Sequence, residues 1–467
     1  MKWQRLPKLF CNDRSSARYY GLNENRRDRS GVTGMSKSSK DSLSYWEVTA
    51  IGVGGMVGGG IFAVLGLSVQ LTGGGAPVAF LIAGLVALVT SYSYARLSVT
   101  YPSQGGTVAF LDRAFGPGVL TGSLNIMLWI SYIVMLSLYA YAFGSYGASF
   151  FPPDSTIFWK HILITASVLA ITGLNLLNAR LIGEAEDWIV LIKVVILVIF
   201  IGVGIWGIDS AKLAPPAWSS PLHLIAGGMI VFLAYEGFEL IANTAQDVRD
   251  APRILPRAFY SSVVFVIVLY LLVAAVTVGT LPVEKIVAAK DYALAEAARP
   301  SLGHTGFILI AIAAMLSTAS AINATVYGAA RLSYAIAKDG ELPAALEKKV
   351  WGKPVEGLLI TSGATVLIAN LVDLSSISMM GSAGFLLIFA AVNGANVALA
   401  NATRSMRSLS LIGAALCLGA LGSLIWQTAD SSPGQLWFLF AMISTAFAIE
   451  ISFRVLAGRT MNLSKTK

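Results

Sequence analysis

Hydrophobic residues fill most of this chain in stretches of roughly 20, the length that an α-helix needs to cross about 30 Å of hydrocarbon. Short polar segments separate the stretches, and none is long enough to form a soluble domain. The pattern predicts an all-α integral membrane protein with twelve transmembrane helices. We place these spans approximately at residues 45-70, 77-97, 118-148, 160-177, 182-206, 221-243, 258-280, 305-330, 357-372, 377-400, 409-428 and 435-454.

The composition agrees with this interpretation. The 467 residues are 56% hydrophobic and 12% charged, and the mean hydropathy is +0.71. These values lie far from the averages of soluble domains. The two cysteines, Cys11 and Cys417, offer neither a disulfide framework nor a metal site. We therefore expect a multi-pass membrane protein that carries no cofactor and no metal.

Lysine and arginine are distributed unevenly along the chain, and cytoplasmic loops carry an excess of both. If the N-terminus is cytoplasmic, most of the 33 basic residues share its side of the membrane. We therefore expect cytoplasmic tails at 1-44 and 455-467. The first tail is polar and lacks the apolar core of a signal peptide, and we expect it to be disordered. Anionic lipid headgroups of a plasma or inner membrane explain the net charge of +8, so we expect no nucleic acid partner.

A glycine-rich stretch, GVGGMVGGGIF, interrupts the first predicted span between Gly52 and Phe62. Non-helical backbone at membrane depth is tolerated where it is buried in protein or lines a wet cavity, so the stretch indicates an internal site. Its GxxxG spacings are also typical of close helix packing, which is the alternative. No preceding strand and no GK[ST] sequence support a nucleotide or phosphate site.

A second interruption follows five spans later, in GGMIVFLAYEGFELIAN from Gly227 to Asn243. Two interrupted helices, each opening one half of the chain, are the sequence indication of an inverted-repeat transporter with its site at the midplane. We therefore predict a 5+5 inverted repeat. Its parts are spans 1 to 5 at 45-206, spans 6 to 10 at 221-400, and two additional helices at 409-454.

The interrupted ends predict what the site binds. Exposed N–H groups at a helix start attract an anion, whereas freed carbonyl groups attract a cation. A zwitterion with a carboxylate and an ammonium group on one carbon satisfies both. The residues therefore favour an amino acid as the substrate.

Lys193 lies deep in the fifth predicted span, within IVLIKVVILVIF. A charged side chain at this depth is costly and is a functional candidate by default. Burial in a medium of low dielectric constant favours the neutral amine, so Lys193 can serve as a proton carrier. The alternative is that its long side chain reaches the headgroups. Hydroxyl groups in the eighth span are candidate partners, at Ser317, Thr318 and Ser320.

Three sequence elements carry a resemblance to a known family. They are the Gly-x-Gly-Ile-Phe element at Gly58, the sixth-span sequence from Phe232 to Glu239, and the segment DAPRILPRA from Asp250. With them the chain resembles the amino acid, polyamine and organocation transporter superfamily, and within it the proton-coupled amino acid transporters of broad specificity. The resemblance extends from about Ser42 to the last span.

The resemblance implies a site, in which the substrate carboxylate meets N–H groups of the first interruption and the ammonium group meets carbonyls of both interruptions. It implies that Lys193 stands where sodium-coupled relatives hold an ion and contacts the Gly54 carbonyl and Ser317, which makes sodium unnecessary. The implied substrate-binding residues are Met56, Gly58, Gly59, Gly60, Phe232, Leu233, Tyr235 and Glu236.

Glu236 departs from the pattern that the resemblance leads us to expect, because a relative of this type has an uncharged residue there. An ionised carboxylate in the interruption favours cationic substrates such as lysine, arginine or a polyamine, whereas a protonated carboxyl group is a second proton site. The alternative is a structural role in which Glu236 accepts hydrogen bonds from backbone N–H groups at the helix end.

These observations lead us to expect a secondary active transporter of amino acids that works by alternating access, coupled to protons, independent of sodium, and embedded in the lipid bilayer. A polyamine or cationic amino acid exchanger of the same superfamily is the alternative. A channel would need a ring or filter around a pore, which the sequence does not contain. An enzyme is not expected, because the three histidines, His161, His223 and His304, lie far apart without ligand spacing.

Overall fold

The computed structural model describes residues 42–177, 180–338, 342, 346 and 354–457. The predicted tails at 1-44 and 455-467 lie almost wholly outside the described residues. Within the described part the chain is helical, apart from turns and two isolated bridges. The helices are α1 Tyr45–Met56, α2 Gly60–Thr72, α3 Ala76–Thr100, α4 Thr107–Phe115, α5 Val119–Ala148, α6 Thr156–Leu177, α7 Arg180–Gly204, α8 Ser210–Leu213, α9 Pro221–Val231, α10 Leu240–Asn243, α11 Ala251–Thr280, α12 Val283–Ala288, α13 Ala293–Ala297, α14 Arg299–Lys338, α15 Val355–Leu371, α16 Leu374–Ala398, α17 Ala400–Thr403, α18 Arg407–Ser431 and α19 Leu436–Ala457.

The first predicted span is two helices. α1 begins behind a cap in which the Ser44 N–H donates to the Glu47 carboxylate at 2.7 Å. It ends at Met56, and α2 starts at Gly60 after a bend of 48°. Glycine is the weakest helix former after proline, so the interruption falls where the sequence concentrates it.

The sixth predicted span is also interrupted. α9 continues into a 3-10 turn at Phe232–Tyr235, Glu236 is extended, and the short helix α10 completes the crossing. Gly237 has a φ angle of 115°, a conformation that L side chains rarely adopt. A glycine is therefore required at the point where the chain leaves the helical path.

Length and apolar composition qualify ten described helical segments as membrane spans, and the bent pair α1 and α2 makes an eleventh. α15 is apolar but shorter, at 17 residues. The structure is therefore a multi-pass helical membrane protein. The number of twelve spans and the 5+5 repeat remain predictions.

The interrupted helices lie inside the bundle. α5, 30 residues long, packs against α6, α14, α15, α16 and α19, and α3 packs against α9 and α11. Outer helices such as α7 expose large apolar side chains, for example Leu191 and Val198, as expected of a surface in contact with lipid. The two interruptions are thus enclosed by protein.

Candidate functional site

The two interruptions touch each other, backbone against backbone. A Cβ built on Gly237 would lie 2.7 Å from both the Gly55 carbonyl oxygen and the Met56 nitrogen. A Cβ built on Gly60 would lie 2.8 Å from the Ala234 Cα. Glycine is needed at these two positions because a side chain would separate the helices. The sequence therefore brings the non-helical parts of α1/α2 and α9/α10 together.

The first interruption presents free donors. Among the described residues, no hydrogen bond reaches the N–H of Gly58 or Gly59. Gly60 begins α2, where the first N–H groups of a helix have no partner within it. These donors lie at the N-terminal, positive end of α2, a helix of 13 residues. The arrangement suits an anion such as a carboxylate.

Tyr270 of α11 joins the two interruptions. Its hydroxyl donates to the Met56 carbonyl at 2.7 Å and lies 3.3 Å from the Ala234 carbonyl. The side chain is fully buried. It therefore satisfies the Met56 carbonyl at the end of α1 and lies beside the Ala234 carbonyl of the second interruption. Nothing in the sequence distinguished Tyr270 from other aromatic residues that pack within spans.

Lys193 is 2% exposed, and its ammonium nitrogen donates to the Gly54 carbonyl at 3.2 Å. The side chain thus crosses from α7 to the end of α1 instead of extending to the surface. A Cβ on Gly54 would lie 3.1 Å from Val190, one turn before Lys193, so α7 and α1 are closely packed. The carbonyl contact is the one that the resemblance implied.

Ser317 of α14 contacts the same interruption from another side. Its hydroxyl donates to the Gly58 carbonyl at 2.8 Å and lies 3.5 Å from the Val57 carbonyl. Thr318 instead donates to its own helix at the Ala314 carbonyl, 2.8 Å away. α7 and α14 therefore both hold carbonyl groups of the first interruption, Lys193 on one side and Ser317 on the other.

Glu236 and Glu239 are buried in the second interruption, 4% and 2% exposed. The Glu239 carboxylate accepts the Gly237 N–H at 2.8 Å and the Tyr132 hydroxyl at 3.1 Å. Glu239, and not Glu236, thus makes the bond to a backbone N–H that we considered for Glu236. Both carboxyl groups belong to the same interruption, three residues apart along the chain.

The remaining predicted residues of the second interruption are fixed by neighbours. The Tyr235 hydroxyl donates to the Phe80 carbonyl at 2.8 Å, and the Leu233 N–H donates to the Ser382 hydroxyl at 3.2 Å. The Phe232 ring packs edge-on against Phe389. All three side chains are buried. Among the described residues, no cluster of metal-binding side chains occurs.

Two interrupted helices packed against each other inside a membrane bundle are typical of one class of protein, the secondary transporters. Comparison with protein families agrees with this class, because the family described as amino acid permease matches residues 43–449. The chain therefore belongs to the amino acid permease family, within the amino acid, polyamine and organocation superfamily. It is a membrane transporter and not an enzyme.

Individual relatives match over most of their length. An uncharacterized protein of Methanocaldococcus jannaschii is 34% identical over 90% of this chain and 97% of its own. The inner membrane transport protein YbaT of Escherichia coli is 32% identical over 86% of this chain and 94% of its own. The methylthioribose transporter of Bacillus subtilis is 24% identical over 87% of this chain and 92% of its own. By its name, this last relative transports methylthioribose, which is not an amino acid.

Proposed function

We propose that this chain transports amino acids by alternating access, driven by protons and independent of sodium. The observation that carries the proposal is the pairing of two kinds of backbone group at the crossing. Free N–H groups at Gly58 and Gly59 suit a carboxylate, and the carbonyl-rich turn at Phe232–Tyr235 suits an ammonium group. The family description, amino acid permease, supports the same substrate class.

The proposed substrate site comprises backbone groups of both interruptions, with Glu236 at its edge. The carboxylate would lie at the start of α2 and the ammonium group at carbonyls of the two interruptions. The residues assigned to it are Met56, Gly58, Gly59, Gly60, Phe232, Leu233, Tyr235 and Glu236.

Lys193, Gly54 and Ser317 form the proposed proton-coupling site. When protonated, Lys193 holds the Gly54 carbonyl, and α7 is thereby tied to α1. Loss of the proton leaves a neutral amine, whose hydrogen bond to the carbonyl is about half as strong as the charge-assisted one. The tie between α7 and the first interrupted helix is then weaker, and the helix can move relative to α7. This step makes transport depend on the proton gradient.

Uptake of radiolabelled alanine into proteoliposomes tests the proposal. An inward proton gradient should increase initial uptake with or without sodium, and Lys193→Ala should lose this stimulation. Lys160→Ala, a lysine at the end of another span, removes a cation outside the site and is the matched control. Full proton-driven uptake by Lys193→Ala contradicts the role of this residue, and dependence on sodium contradicts the coupling ion.

A polyamine or cationic amino acid exchanger is the second candidate, and buried Glu236 favours it. An ionised carboxylate inside the interruption would attract the extra positive charge of arginine or putrescine. Competition of putrescine and arginine against alanine separates the two candidates.

We also propose that both termini are cytoplasmic and that the protein resides in the plasma or inner membrane. The excess of basic residues on the N-terminal side supports this orientation. Labelling of single cysteines placed in the connections by an impermeant reagent tests it.

A further inference from the structure

Three tyrosines of α5 form a row that faces the two interruptions. Tyr132, Tyr139 and Tyr146 are spaced seven residues apart, which is close to two helical turns and places them on one face. The outer two bond to the interrupted helices. Tyr132 donates to Glu239 of the second interruption at 3.1 Å, and Tyr146 donates to the Phe62 carbonyl in the first turn of α2 at 2.9 Å.

Tyr139, the middle member, lies directly against the free donors of the first interruption. A Cβ on Gly59 would lie 2.5 Å from its ring, and a Cβ on Gly58 would lie 3.3 Å from its hydroxyl oxygen. The residue is 2% exposed. Among the hydrogen bonds of the described residues, none involves the Tyr139 hydroxyl. The hydroxyl can therefore donate to a ligand that enters beside these glycines.

Two independent observations therefore converge on the same point. The backbone offers N–H groups at the positive end of α2, and α5 aims an unpartnered O–H at the same glycines. Each of these groups is a donor, and together they match an acceptor with several lone pairs. A carboxylate has two oxygens and about four such positions.

We propose that Tyr139 donates a hydrogen bond to the substrate carboxylate and thereby makes the transporter select substrates that carry a carboxylate. The inference rests on the proposed amino acid site and adds a side chain to a set of contacts otherwise made by backbone. It also distinguishes amino acids from amines that lack the carboxylate.

Binding to the purified protein tests this role without requiring transport. We compare alanine with alaninamide, in which an uncharged amide replaces the carboxylate. Tyr139→Phe removes one oxygen and keeps the ring against Gly59. Because a hydrogen bond to a charged group is lost, we expect the Kd of alanine to rise about tenfold to a hundredfold. The amide oxygen of alaninamide accepts only a weaker, neutral hydrogen bond, so its Kd should rise about two- to tenfold. The preference for alanine should therefore decrease.

Tyr141→Phe is the matched control, because it removes a hydroxyl from the same helix at a position bonded to Lys160 and not to the glycines. It should keep the wild-type preference. Tyr139→Gln retains a donor and should recover part of the preference for alanine, which a purely structural role of the ring would not allow. Unchanged alanine affinity in Tyr139→Phe overturns the inference. Absence of amino acid binding in the wild type would instead overturn the proposed function.

Discussion

The crossing of the two interruptions predicts that Gly237→Ala is severely disruptive. Gly237 has a φ angle of 115°, and holding an L residue in such a region costs about 1–3 kcal/mol. The new methyl group would also lie 2.7 Å from the Gly55 oxygen, and overpacking of this kind costs about 1–3 kcal/mol. The two effects together amount to about 2–6 kcal/mol if they add.

This cost has two measurable consequences. The midpoint of heat-induced unfolding in detergent should fall, because strain in the native state is relieved on unfolding. Transport of alanine in proteoliposomes should be lost even in the protein that remains folded, since the methyl group separates α1 from α10. Measuring both quantities on the same preparation distinguishes lower stability from a distorted site.

Gly363→Ala provides the matched control. Gly363 lies within helix α15, and a Cβ built on it has nothing within 4 Å. Alanine is also a better helix former by about 1 kcal/mol. The control should therefore be as stable as the wild type or more stable, with full activity. If Gly237→Ala unfolds at the wild-type temperature and transports normally, the two interruptions do not pack as described.

Two further predictions concern charged residues. Asp291, in the connection between α12 and α13, lies 3.7 Å from Lys160 of α6. Asp291→Asn should therefore speed hydrogen–deuterium exchange of residues 283–297 by about two- to fivefold. Glu284→Gln, which changes an exposed carboxylate in α12, should not speed this exchange. Equal rates of hydrogen–deuterium exchange in both variants would show that the ion pair does not stabilise this connection. In proteoliposomes, Glu236→Gln should weaken the competition of arginine against alanine uptake about tenfold. Alanine uptake itself should stay within about threefold of the wild-type rate. Unchanged competition by arginine would place Glu236 outside the substrate site.

The positions of the interruptions were predictable from the sequence because their cause is local. Glycine weakens a helix wherever it occurs, so the run from Gly52 to Gly60 and the isolated Gly237 both predicted where the helical path is lost. The depth of Lys193 was equally predictable from the apolar residues on either side of it. These are properties of segments about one span long.

The partners of those residues were not predictable in the same way. Tyr139 and Tyr270 lie in separate spans, and aromatic residues in a membrane helix mostly pack without a special role. Their hydroxyl groups acquire significance from what lies opposite, which depends on helix packing between distant parts of the chain. The resemblance implied the contact of Lys193 with the Gly54 carbonyl, although no spacing in the sequence connects the two residues.

The charges around the site bear on the choice between neutral and cationic substrates. Glu236 and Glu239 are both buried in the second interruption, and an ionised carboxylate in such surroundings favours a positively charged neighbour. A zwitterionic amino acid brings no net charge, whereas arginine or putrescine brings additional positive charge that would offset a carboxylate. If Glu236 is protonated when the site is empty, a cationic substrate favours loss of that proton. Binding of a cationic substrate should then release a proton, whereas binding of alanine should leave proton coupling to Lys193.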